Sequence, residues 1–130
     1  MSDPKWRGMT WNFHPIGKRG ELYPRWLRDL IGEHGIYIIK EGSTIVYIGE
    51  SHAGRLYGTI TRHFQRWTRS KDHFRGQYVE TDNDPGLTYD RAACRVAYYV
   101  TKTGERAIEM QDRAIAHFEP RDNVQGKLPF

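Results

Sequence analysis

The sequence predicts an α+β fold, a small three-stranded antiparallel-type sheet flanked by helices, and three observations carry the class. Two runs rich in Ile, Val and Tyr, residues 35–40 and 44–49, flank the turn Glu41-Gly42-Ser43, the pattern of a β-hairpin. A third run, residues 91–101, alternates Cys94, Val96, Tyr98 and Val100 with Arg95, Ala97 and Tyr99, the period of a strand. Apolar residues recur at helical spacing within residues 54–68 and 103–118.

Taken in order, residues 1–20 carry Trp6, Trp11 and Phe13 among glycines, prolines and charges. They read as an irregular arm that packs its aromatics onto the core; the alternative is stacking on unpaired bases. Residues 24–31 predict a short helix, with Pro24 in the first position, Trp26, Leu27, Leu30 and Ile31 at helical spacing, and Gly32 as a stop. In the hairpin, Tyr37 shares a face with Gly35 and Ile39, and Tyr47 shares one with Ile45 and Gly49. Each glycine admits a close approach beside a tyrosine.

The next helix, residues 54–68, has an apolar stripe of Leu56, Ile60, Phe64 and Trp67. Arg55, Arg62, Arg66 and Arg69 lie on another face, with His63 on the border. Six basic residues face one acid, Asp72, between positions 55 and 75. Solvated helices ordinarily mix signs, so this one-signed face predicts phosphate contacts, against the alternative of a merely solubilising surface. Residues 70–90 read as a long excursion, with a turn at Asp82 to Gly86 and a short strand near residues 77–80. Cys94 reads as a small core residue. In the last helix, Ala107, Gln111, Ala114, Ile115 and Phe118 share one face, while Glu105, Glu109, Asp112 and Ala116 share the opposite one. Pro120 ends it.

The chain of 130 residues is expected to form one domain, an arm and short helix over 1–33 and a core over 35–123. A single cysteine excludes an internal disulfide framework and a cysteine zinc site. No apolar run is long enough to span a membrane, and no signal peptide is visible, so a reducing, cytoplasmic setting is expected. The net charge of +4 is compatible with polyanionic partners.

The combination of Gly35-Ile36-Tyr37, Tyr47-Ile48-Gly49, a basic helix and a helix ending in Pro120-Arg121-Asp122-Asn123 resembles the GIY-YIG nuclease family over residues 35–123. The resemblance implies hydrolysis of DNA phosphodiester bonds with one divalent cation, Mg²⁺ or Mn²⁺. By position it assigns Tyr37 and Tyr47 to the attacking water, an arginine of the first helix to the phosphate, and Asn123 to anchoring the site. Arg55 is the first choice for that arginine and Arg62 the second. His63 is either a catalytic partner or a structural boundary histidine. The remaining arginines, Arg62, Arg66 and Arg69, are expected to contact nucleic acid.

One departure bears on activity. The family's metal-binding glutamate falls on Gln111, while Glu109 stands about 160° further round the helix. An amide oxygen lacks the charge that hard cations favour. The expected function is therefore a compact metal-dependent DNA endonuclease, with specificity from the arm, the excursion or a partner. The alternatives are a nucleic-acid-binding module that keeps the fold and has lost hydrolysis, and a basic protein-interaction domain.

Overall fold

A hairpin of β-branched and aromatic residues forms the centre of the molecule. The computed structural model describes residues 5, 6, 9–65 and 89–123. Arg66, Arg69, Trp67 and nearly all of the expected 70–90 excursion, including its strand near 77–80, lie outside the described residues. The elements are β1 (Lys5–Trp6), β2 (Met9–Thr10), β3 (His14–Pro15), α1 (Arg25–Arg28), β4 (Gly35–Glu41), β5 (Thr44–Ser51), α2 (Leu56–Arg62), a 3₁₀ turn (Arg91–Ala93), β6 (Cys94–Val100) and α3 (Gly104–Phe118).

The three expected strands lie side by side and antiparallel, with β4 between β5 and β6. The arm adds a fourth, because His14 and Pro15 pair with Val96 and Arg95 on the outer side of β6. A separate two-stranded ribbon, β1 with β2, precedes it.

Strand alternation divides the core between the two faces of the sheet. Tyr37, Ile39 and Val96 pack with Leu27, Leu56 and Ile60 on the side of α1 and α2. Ile36, Ile38, Ile48 and Ala97 pack with Ala107, Met110 and Ala114 of α3 on the other. Trp11 and Phe13 are buried on the α3 side and Ile16 on the opposite side. The arm thus crosses the β3 edge and seats these aromatics in the core, which removes Trp11 and Phe13 as platforms for bases.

Arg91, expected within a strand, is instead a buried tie to the arm. Its guanidinium donates to Ile16 O at 2.6 Å and Glu21 O at 2.9 Å and lies 4.1 Å from the centre of the Tyr23 ring. The first helix is shorter than expected. Pro24 stands at its N-cap, Leu27 and Leu30 are buried, and Ile31 is exposed beyond its end. Cys94 is buried in the core, and burial pushes its thiol up to about 12, as a packing residue requires.

A bulge sets the register of the hairpin. Ile39 opposes Tyr47 but Lys40 opposes Ile45, leaving Val46 as the extra residue. Val46 packs on the α2 side and Ile45 on the α3 side. The expectation that Ile45 shares the face of Tyr47 fails at this bulge.

Candidate active site

Tyr37 and Gly49 are cross-strand partners. A Cβ on Gly49 would be built into the Tyr37 ring and hydroxyl, so glycine is what lets the phenol lie across β5. Gly35 has a different neighbour: a Cβ there would strike the backbone of Tyr99 on β6. The two motif glycines therefore do separate jobs, one admitting a side chain and the other a strand.

The phenol reaches the C-terminus of α2. Tyr37 Oη and His63 Nε2 stand 2.8 Å apart and share a hydrogen bond. The Tyr47 ring lies 4.5 Å from the His63 ring, centre to centre, and 6.3 Å from that of Tyr37. Three of the expected site residues thus form one cluster. Burial, with the neighbouring Tyr47, pushes the Tyr37 hydroxyl well above its ordinary value, while the charge of Arg62 opposes that shift. Tyr47 is also raised, by burial and by the charge of Glu50.

His63 is placed by the end of its helix. His63 N bonds Ile60 O at 3.2 Å and Phe64 N bonds Thr61 O at 3.0 Å, the tighter spacing of a helix terminus. The helix therefore stops earlier than the expected residue 68. The His63 carbonyl accepts from Tyr89 N at 2.7 Å, and the Tyr89 ring lies 6.0 Å from the imidazole. Tyr89 in turn donates its hydroxyl to Asp122 Oδ2 at 2.7 Å. Burial and this acid push the Tyr89 hydroxyl upward. Arg121 bonds both oxygens of Asp122 at 2.9 Å and holds that carboxyl below its usual range. Sequence reasoning missed Tyr89, since a lone aromatic at the end of a non-periodic stretch carries no signal.

The tail after α3 lies along β5. Asn123 Oδ1 accepts from Ile48 N at 2.7 Å, and its amide donates to Ile48 O at 2.9 Å. Arg121 N and Asp122 N bond to Ile45 O and Val46 O. The asparagine thus grips the backbone between Tyr47 and Gly49.

The arginines differ in position. Arg55 is exposed at the N-cap of α2, its N–H donating to Ser51 Oγ at 2.9 Å. Arg62, exposed and adjacent to His63, is the one whose charge reaches Tyr37. Arg66 and Arg69 lie outside the described residues.

The expected metal residues, Glu109 and Gln111, both stand on α3. Glu109 is exposed on α3 and paired with Arg106 at 2.9 Å and Arg113 at 3.3 Å, as a solvated helix glutamate would be. Gln111 is half-buried, and its amide donates to Asp112 Oδ1 at 3.3 Å. Among the described residues, no group of three or more His, Cys, Asp or Glu could hold an ion. The donor set of α3 does not fit a hard divalent cation: one residue is a neutral amide, and the other carboxylate is engaged by two guanidinium groups.

No protein-family model matches the chain, and no curated protein matches it at a significant level. Among solved structures, the chain is similar to the GIY-YIG N-terminal endonuclease domain of UvrC from Thermotoga maritima bound to magnesium. The TM-score is 0.48 and the identity 22%, covering 78% of this chain and 99% of that one. Two point variants of the same domain, a tyrosine-to-phenylalanine and an asparagine-to-alanine change, give the same TM-score of 0.48, with 22% and 21% identity. A likeness of that size assigns no activity to this chain.

Proposed function

We propose that this protein is a divalent-metal-dependent DNA endonuclease of GIY-YIG type. The observation that carries the reading is the Tyr37–His63 hydrogen bond, formed across Gly49 with Tyr47 alongside. Hydrolysis needs a base for the attacking water, and a buried phenol is a weak one while it keeps its proton. A hydrogen-bonded imidazole removes that difficulty. As Tyr37 Oη takes a proton from water, its own proton passes to His63 Nε2, so the oxygen that meets the water never bears a full buried charge. Tyr47 lines the same space and narrows it. Arg62 is the preferred phosphate ligand, since its planar fork matches two phosphate oxygens and stays charged; Arg55 is the second choice. Asn123 holds the strand that carries Tyr47 and Gly49. A divalent cation, Mg²⁺ or Mn²⁺, would supply charge neutralisation on the phosphate; because Gln111 and Glu109 do not fit it, its ligands would come chiefly from the substrate phosphate and retained waters.

The test is incubation with nicked, branched and plasmid DNA in Mg²⁺ or Mn²⁺. Cleavage by the unmodified protein is expected, with a loss of about 10²–10³-fold in Arg62→Ala. No cleavage of any substrate, or equal cleavage by the variant, overturns the reading.

Gln111 motivates a second reading, a nucleic-acid-binding module with the same fold and no hydrolysis. It predicts binding whose log–log salt slope steepens by about 0.9 per duplex phosphate contacted, and cutting only after Gln111→Glu. Robust cutting by the unmodified protein eliminates it.

A further inference from the structure

His63 is the C-cap of α2, where a carbonyl finds no donor within its own helix. Tyr89 supplies one. Its backbone N–H donates to His63 O at 2.7 Å, and its ring lies 6.0 Å from the imidazole and 6.3 Å from the Phe64 ring, centre to centre. Tyr89 is in turn held at its far end. It is only 7% exposed, and its hydroxyl donates to Asp122 Oδ2 at 2.7 Å. Arg121 donates to both oxygens of that carboxylate at 2.9 Å, and Asp122 N is tied to Val46 O of β5 at 2.8 Å. A continuous path thus runs from the backbone of β5, through one carboxylate and one phenol, to the imidazole at Tyr37.

We propose that Tyr89 and Asp122 are positioning residues for the Tyr37–His63 pair, the carboxylate fixing the Tyr89 phenol and Tyr89 fixing the imidazole. An ionised carboxylate only accepts, so the Tyr89 hydroxyl is left one role, as donor, and one direction. The 2.8 Å contact between Tyr37 Oη and His63 Nε2 tolerates little drift, because hydrogen bonds weaken steeply out of line. A displacement of about 1 Å in a reacting group costs about 10²-fold in rate. The path also ties His63 to β5, the strand that carries Tyr47 and Gly49, so the imidazole and both tyrosines share one frame. The catalytic consequence rests on the endonuclease reading, whereas the placing of the ring does not.

The experiment compares the unmodified protein with Tyr89→Phe, Asp122→Asn and Tyr37→Phe. It reads the nitrogen resonances of the His63 imidazole without DNA, then single-turnover cleavage and DNA affinity. Tyr89→Phe keeps the ring and the backbone N–H and removes only the hydroxyl. It is expected to move the His63 Nε2 signal in the same direction as Tyr37→Phe. It is also expected to slow cleavage by about 10²-fold, with DNA affinity unchanged and the protein folded at the assay temperature. Asp122→Asn loses the ion pair with Arg121 and gives a smaller change of the same sign; it decides if Tyr89→Phe does not fold. A His63 signal unmoved by Tyr89→Phe, or a variant that only melts earlier with its rate unchanged, makes Tyr89 a structural clamp and overturns the proposal. If no protein cuts DNA, the endonuclease reading fails, and the His63 signal alone decides whether Tyr89 places the ring.

Discussion

Tyr37 is buried to 1% exposure, yet its hydroxyl ends at His63 Nε2 and beside Tyr47. Its ring serves the core and its oxygen serves the site, so the two roles separate experimentally. Tyr37→Phe keeps the ring and is expected to leave the fold intact while slowing cleavage by about 10²–10⁴-fold; single-turnover rates and a melting curve measure both. Gly49→Ala acts in the other direction. Its methyl has no room beneath Tyr37, and overpacking of this kind costs about 1–3 kcal/mol, readable as a lower urea midpoint together with lost cleavage. At this scale the two tyrosines, Gly49 and Asn123 were legible in the sequence because they stand in short motifs with mechanical reasons for their residue types, whereas His63 was read only as a histidine on the border of its helix, structural or catalytic. Tyr89 was not, since it meets His63 and Asp122 only through the fold. Helical spacing ranks both Arg55 and Arg62 as candidates; the structure places Arg55 at the N-cap of α2 and Arg62 at its last residue.

The elements that were readable, the hairpin, β6 and α3, owe their form to local periodicity. Thr103 confirms the start of α3 by accepting from Arg106 N at 3.1 Å. The end of α2 is set elsewhere, by Tyr89 N on the His63 carbonyl, and the bulge at Val46 leaves no mark in an unbroken run of β-forming residues. The fourth strand was hidden for a related reason, because a two-residue strand has no period of its own and exists only through β6. The tail after α3 is the clearest case of an element defined by its partner. Asn123→Ala strips Ile48 of two hydrogen bonds at once. Leaving such groups unsatisfied costs about 1–3 kcal/mol, so a matching fall in unfolding free energy by urea titration is expected, with weaker cleavage as β5 loosens. An unchanged midpoint contradicts the anchoring role.

For the molecule as a whole, ionisation sets a stability window. Tyr37, Tyr47 and Tyr89 hold their protons above the ordinary value of 10.0. Above that pH the unfolded chain binds fewer protons than the folded one, so stability declines as pH rises beyond it. Asp122 is held below its ordinary 3.8; its contribution is present above that value and disappears as pH falls through the lower folded value. Melting temperature should therefore form a plateau with losses at both ends, and a flat profile through the alkaline limb contradicts the buried-phenol cluster. Among the described residues, no helix is long and apolar enough to cross a membrane. The central claim is that one buried phenol, backed by an imidazole, drives phosphodiester hydrolysis. Its most direct test is DNA cleavage in Mg²⁺ by the unmodified protein beside Tyr37→Phe. Cutting by the first and a loss of at least about 10²-fold in the second are expected; no cutting by either, or equal cutting by both, contradicts a catalytic Tyr37.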